Sequence, residues 1–193
     1  MQPRMIVVAG PPGSGKSSIF PVSGFRIKHF NADDRAAELN SGSYRGISSN
    51  IRAIVNQEFE AFVQDCITRL ESFAIETTLR SGITFDQARQ AKAAGFVTDM
   101  RYLALQDFSI HLKRVKARAD AGGHSASETT LRNIYQASLA NLSRAVAEMD
   151  DVWVYDNSLV GGPPTLLLQS EKGTIRFLAD GAPSWLTTSL GLT

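Results

Sequence analysis

The chain has 193 residues, 43% of them hydrophobic and 20% charged, which is enough for one domain with a sizeable core. A net charge of +1 argues against a broad nucleic-acid or membrane surface and leaves room only for a local basic patch. The single cysteine, Cys66, excludes an internal disulfide and suits a reducing, cytoplasmic compartment, and no stretch is apolar for long enough to span a bilayer.

Met5 to Ala9 is a short β-rich apolar run, read as a strand and not as a signal peptide because it leads straight into Gly10-Pro11-Pro12-Gly13-Ser14-Gly15-Lys16-Ser17-Ser18. Gly10, four residues, then Gly15-Lys16-Ser17 complete the G-x-x-x-x-G-K-[ST] pattern of a P-loop. Gly13 and Gly15 permit a tight concave turn whose N–H groups converge on one phosphate, and a helix opening near Gly15 adds its positive end. Lys16 is placed to reach the β- and γ-phosphates, and the Ser17 hydroxyl to bind Mg²⁺.

Pro21 and Gly24 cut the first helix short. Phe25 to Phe30 reads as a second strand ending in Asn31-Ala32-Asp33-Asp34, followed by helical pattern to about Leu39 and a polar loop from Asn40 to Gly46. Apolar residues at three-and-four spacing predict a long helix over Ser48–Glu71, with Cys66 in its buried stripe. A third strand, Ser72–Ile75, runs into Glu76-Thr77-Thr78-Leu79-Arg80. A helix over Thr84–Ala94 stops at Gly95, and Phe96–Leu105 is a largely buried strand. Phe108–Ala121 is a helix with a basic face of His111, Lys113, Arg114, Lys116 and Arg118, ended by Gly122-Gly123. Ser125 and Glu128 have capping-box spacing and open a helix that continues to Met149. Val152–Tyr155 is the last core strand; Thr165–Gln169 and Thr174–Leu178 form a hairpin, and a short helix follows Pro183.

This alternation predicts a parallel α/β sheet with right-handed crossovers, in which ligands bind at the carboxyl ends of strands. Asp33, after the second strand, is a candidate general base; alternatively Asp33 or Asp34 caps the helix that follows, and the adjacent pair allows one to cap while the other faces the site. Glu76, after the third, can bind a substrate hydroxyl, bind Mg²⁺ through water, or hold backbone in a turn. Arg118 and Arg132 flank the Gly122-Gly123-His124 break and are candidates for cations on a mobile lid; His124 itself reads as structural.

Five stretches together resemble the zeta-toxin family of P-loop kinases: GPPGSGKSS (Gly10–Ser18), FNADD (Phe30–Asp34), FAIETTLRS (Phe73–Ser81), RADAGGHSASETTLRNIYQASLANL (Arg118–Leu142) and WVYDNS (Trp153–Ser158). The resemblance spans roughly residues 4–158. It implies a three-layer P-loop kinase fold: a mainly parallel five-stranded sheet flanked by helices, with a helical lid. The kinase domain would occupy 1–160; residues 161–193 lie outside the resemblance and read as an extension, a β-hairpin appendage packed on the same domain. It implies ATP and Mg²⁺ as cofactors, a small-molecule acceptor such as the nucleotide sugar UDP-N-acetylglucosamine, and a small antitoxin protein as partner, with no nucleic acid and no membrane. By position, Lys16 and Ser17 would hold phosphate and Mg²⁺. Asp33 would be the base, Glu76 would bind the sugar with Thr77 and Arg80 beside it, and Arg118 and Arg132 would act from the lid.

The chain departs from the family where Arg132 is followed by Asn133-Ile134-Tyr135 and where Ser125-Ala126-Ser127 stands in place of a proline-bearing segment. It is also shorter than the long cell-wall toxins. Other small P-loop kinases, of sugars, metabolites or polynucleotide 5′-ends, and a nucleotide-binding regulatory module without transfer are the alternatives.

Overall fold

A computed structural model describes residues 2–120, 126–159 and 161–192; Gly122, Gly123, His124 and Ser125 lie outside them. The order is β1 (Arg4–Ala9), α1 (Lys16–Ile19), β2 (Lys28–Phe30), α2 (Ala32–Leu39), α3 (Ser49–Thr68), β3 (Phe73–Thr77), α4 (Ile83–Ala93), β4 (Val97–Ala104), α5 (Phe108–Asp120), α6 (Glu128–Ala140), α7 (Leu142–Glu148), β5 (Asp151–Asp156), β6 (Thr165–Glu171), β7 (Thr174–Leu178) and α8 (Ser184–Leu190).

The strands form a single sheet in the order β2-β3-β1-β4-β5-β6-β7. The first five are parallel, as expected. The expected five-stranded sheet is nevertheless seven-stranded, because the hairpin is no appendage: β6 pairs antiparallel along β5 from Asp151↔Glu171 to Asp156↔Thr165, and β7 pairs with β6. Strand β1 lies between β3 and β4, so the chain leaves it toward both halves of the sheet. That places a crevice at its carboxyl end, where the P-loop begins.

One sheet face packs against the long helices, burying Phe73, Phe85 and Tyr102 completely. Each such side chain contributes about 1.5–3 kcal/mol by leaving water. The other face is covered more thinly, by Val22, Phe20, Phe25 and Ile27 over Val8 and Ala74.

Several elements differ from expectation. Phe25, expected to open the second strand, instead ends a 3₁₀ turn over Val22–Phe25, and Arg26 takes φ 56°, so β2 begins only at Lys28. Helix α3 stops at Thr68: Leu70 turns left-handed (φ 54°) and Glu71 N–H donates to the Cys66 carbonyl, a Schellman ending built on a leucine. Helix α6 is capped by Ser127, whose hydroxyl accepts from Thr130 N–H; Ser125, expected in that role, lies outside the described residues. The expected single helix to Met149 breaks at Asn141, whose side-chain amide donates to the Leu79 carbonyl, 2.9 Å away. His111, expected on the basic face of α5, is buried.

Candidate active site

The loop between β1 and α1 has the shape of an anion cradle. Gly10 has φ 139°, and a Cβ there would stand 2.0 Å from the Leu103 carbonyl oxygen; Gly15 has φ 94°, and its Cβ would meet the Asn157 amide at 2.4 Å. Only glycine fits either place. Among the described residues, the N–H groups of Gly13, Gly15, Lys16 and Ser17 have no acceptor, and the buried Ser14 hydroxyl has no partner. Free donors converging at a helix start are what a phosphate needs, so the loop fits the triphosphate of ATP.

Lys16 is 7% exposed and donates to the carbonyls of Gly10 (2.8 Å) and Pro11 (3.3 Å), which hold its ammonium within the loop. Burial lowers its pKa; the carboxylates of Glu76 and Asp33 oppose that effect and Arg118 adds to it. Asp33 and Arg118 therefore lie within electrostatic reach of the loop lysine.

Glu76 sits at the end of β3, beside Val8 of β1. Its Oε1 is 3.9 Å from Lys16 Nζ and its Oε2 accepts from the Ser17 hydroxyl at 3.0 Å. A hydroxyl and a carboxylate side by side are hard oxygen donors of the kind Mg²⁺ takes while keeping waters and phosphate oxygens as its other ligands. These two residues would hold the ion.

Asp33 is exposed and its carboxylate makes no hydrogen bond among the described residues. The helix cap is Asn31, whose Oδ1 accepts from the N–H groups of Asp33 (3.0 Å) and Asp34 (3.4 Å). Capping by Asp33 or Asp34 is thereby corrected: Asn31 does that work, Asp34 accepts from the Tyr44 hydroxyl, and the Asp33 carboxylate is left over. Helix α2 is fixed by Arg35, which donates to both oxygens of Glu58 on α3 (2.7 and 2.9 Å) and to Glu38; these bonds raise the Arg35 pKa and lower that of Glu58.

Between α2, the 3₁₀ turn and the end of β3 lies a cleft of about 350 Å³, lined by Ser17, Ser23, Phe30, Asn31, Asp34 and Glu76 among others. Ser17 and Glu76 belong both to this cleft and to the cradle's edge.

The other expected residues are placed as follows. The Thr77 hydroxyl accepts from Leu79 N–H at 3.1 Å and shapes the turn after β3. Arg80 is exposed. Arg132 pairs with Glu128 at 3.0 Å and stacks over the Phe108 ring at 4.3 Å. Arg45, in the loop before α3, donates to the carbonyls of Ala119 and Asp120, so the acceptor-side loop is tied to the end of α5 that carries Arg118.

Two residues next to the loop were not singled out from the sequence. His111 is 2% exposed, its Nε2 accepting from Leu105 N–H (3.1 Å) and its Nδ1–H donating to the Pro12 carbonyl (3.0 Å). Burial depresses its pKa to about 4, so the ring is neutral. Asn157, just after β5, donates to the Ser14 carbonyl at 2.8 Å. The signals were present: Asn157 follows a strand at the ligand-binding end, and Phe108, His111 and Val115 share one stripe of α5.

No known protein-family model matches the chain. It is 29% identical over 139 residues to an uncharacterised protein of Haemophilus influenzae, covering 70% of this chain and 94% of that protein. Among solved structures it resembles a chain of the AvrRxo1-ORF1:ORF2 complex with ATP (TM-score 0.72, 14% identity), covering 93% of this chain but 61% of that one, so it spans well under the full length of this relative. It also resembles a chain of the PezAT chromosomal toxin–antitoxin system of Streptococcus pneumoniae (TM-score 0.62, 17% identity, 80% and 67% covered). The chain has a P-loop kinase-like fold.

Proposed function

We propose that the protein is an ATP- and Mg²⁺-dependent kinase that transfers the γ-phosphoryl group to a hydroxyl of a small molecule. The observation that carries this reading is that Ser17 and Glu76 are shared: each lines the cleft and each borders the phosphate cradle. A hydroxyl seated in the cleft would thus face the outermost phosphate at the loop. Mg²⁺ and ATP, when bound, supply charge neutralisation and the phosphoryl group. Asp33, unoccupied by capping, takes the acceptor's proton as the new O–P bond forms and the bond to the β–γ bridging oxygen breaks. Lys16 and Arg118 stabilise the negative charge spread over the transferring group.

The resemblance to zeta toxins favours a nucleotide sugar such as UDP-N-acetylglucosamine as acceptor. It also makes a small antitoxin-type protein a natural partner, as in the toxin–antitoxin system whose fold the chain shares. A second reading of the acceptor is favoured by the charge of the cleft. Its lining includes Asp34, Glu38 and Glu76, while Arg35, its guanidinium, is already engaged by Glu58 and Glu38. Such a wall suits a neutral or amino-bearing polyol better than an anion. Incubation with labelled ATP and a panel of UDP-N-acetylglucosamine, amino sugars, gluconate and 5′-hydroxyl oligonucleotides separates these acceptors. Label transfer to none of them, with ATP bound, would favour a nucleotide-binding module instead.

A further inference from the structure

The P-loop is a chain of peptide planes, and each plane has two ends. In a trans peptide the carbonyl of one residue and the N–H of the next point in opposite directions. Turning a carbonyl outward therefore turns the following N–H inward. Two carbonyls of the loop are held from outside by side chains of other elements. Pro12 O accepts from Nδ1–H of His111 on α5, and Ser14 O accepts from the amide of Asn157 beyond β5. The N–H groups that these planes aim the other way belong to Gly13 and Gly15, which have no acceptor among the described residues.

We propose that His111 and Asn157 are positioning residues for phosphate binding, holding the Gly13 and Gly15 N–H groups aimed into the cradle. This rests on the phosphate-binding reading of the loop. Glycine needs such a hold more than any other residue, since its φ and ψ are the least restricted and its peptide plane turns over most readily.

Both clamps are themselves fixed. The His111 ring is set by a second bond, Leu105 N–H to Nε2, and packs edge-on to Tyr135 at 5.1 Å between ring centroids. Because Leu105 must donate, Nε2 must accept, and Nδ1 therefore carries the single proton that Pro12 O receives. Asn157 is 7% exposed, and its own N–H donates to the Ala104 carbonyl at the end of β4. Asn157 reaches the loop from the end of β5, and His111, on α5, is anchored to Leu105 just after β4, so the loop's shape is tied to the ends of two neighbouring parallel strands.

The test is ATP affinity, measured by titration calorimetry and independent of any transfer. His111→Leu, which fills the space and makes neither bond, and Asn157→Ala should each weaken ATP binding about tenfold, the usual consequence of losing an aligned hydrogen bond. His111→Gln carries a donor and an acceptor in one plane, as imidazole does, and should recover most of the loss. Thr98→Val, which removes a buried hydroxyl bonded to Asp150 at the amino end of β4, the end opposite the loop, is the control: it should lower the melting temperature and leave ATP affinity unchanged.

Wild-type ATP affinity in folded His111→Leu and Asn157→Ala would overturn the proposal, as would a Gln variant no better than Leu. Should His111→Leu fail to fold, Asn157→Ala decides, since it deletes a single side-chain bond at the end of an intact strand. A wild-type protein that binds ATP but phosphorylates nothing would sink the kinase reading and leave this one standing on its affinities.

Discussion

The Ser17 hydroxyl, in the first turn of α1, and the Glu76 carboxylate, at the end of β3, are hydrogen-bonded at 3.0 Å, with Lys16 at 3.9 Å from the other carboxylate oxygen. The three groups thus form one polar unit at the edge where cradle and cleft meet. Glu76→Gln keeps the shape and removes the charge that Mg²⁺ requires. It should leave ATP affinity in the absence of Mg²⁺ within about twofold of wild type and shift the Mg²⁺ concentration for half-maximal turnover upward by about tenfold or more. Steady-state rates across a Mg²⁺ series check this, and an unaltered Mg²⁺ dependence would remove Glu76 from the metal's surroundings.

Asp33→Asn should fold, bind ATP and lose about 10²–10⁴-fold in transfer rate, the usual contribution of a general base. Capping is unaffected because Asn31 supplies it. Single-turnover kinetics with saturating ATP give the rate directly; a variant as fast as wild type would exclude Asp33 as the base.

His111 gives the protein a pH signature. Its pKa is about 4 in the fold and about 6.5 when unfolded, so between these values the unfolded chain holds more protons. Stability contributed by the neutral ring is therefore complete above about pH 6.5 and is lost as the pH falls toward about 4, up to about 3 kcal/mol in all. Protonation at Nε2 would also set two donors, the ring and Leu105 N–H, against each other. Denaturant melts from pH 7 to 4 should be less pH-dependent in His111→Gln than in wild type; equal slopes would contradict the assignment.

Leu70→Gly should stabilise the protein. Leu70 is 57% exposed and held at φ 54°, where an L-residue with a Cβ is strained by about 1–2 kcal/mol. Glycine removes that strain and costs about 0.5–1 kcal/mol in unfolded-chain entropy. The net gain should be about 0.5 kcal/mol, seen as a small rise in melting temperature. A fall would mean that Leu70 contributes packing its exposure does not suggest.

The parallel core was legible because its signals are local. Met5–Ala9 and the glycines after it specify a strand and a turn within a few residues, and strand–helix alternation supplies the topology. Asp33 and Glu76 could be picked out as candidates because strand ends are where ligands bind. The hairpin's place was not legible: nothing local in Thr165–Glu171, with its three consecutive leucines, names a partner strand, and only the open flank of β5 decides that it joins the sheet. His111 was hidden for a different reason. Its neighbours Lys113, Arg114 and Lys116 made the helix face look uniformly solvated, whereas its partners, Pro12 and Leu105, include a residue 99 positions away. Ser138 and Asn141 in the SLANL segment support the fold around the site: Ser138 bonds buried Tyr102, and Asn141 holds the turn after Glu76.

Strand β5 has one neighbour from the parallel sheet and one from the hairpin, and Asn157 stands at its end. During synthesis the phosphate loop leaves the ribosome first, and the side chain that steadies Ser14 leaves it some 140 residues later. Even then β5 is an open edge until Thr165–Glu171 follow and zip along it. The nascent chain thus carries the P-loop signature long before Asn157 and the strand that flanks β5 have been made to steady it.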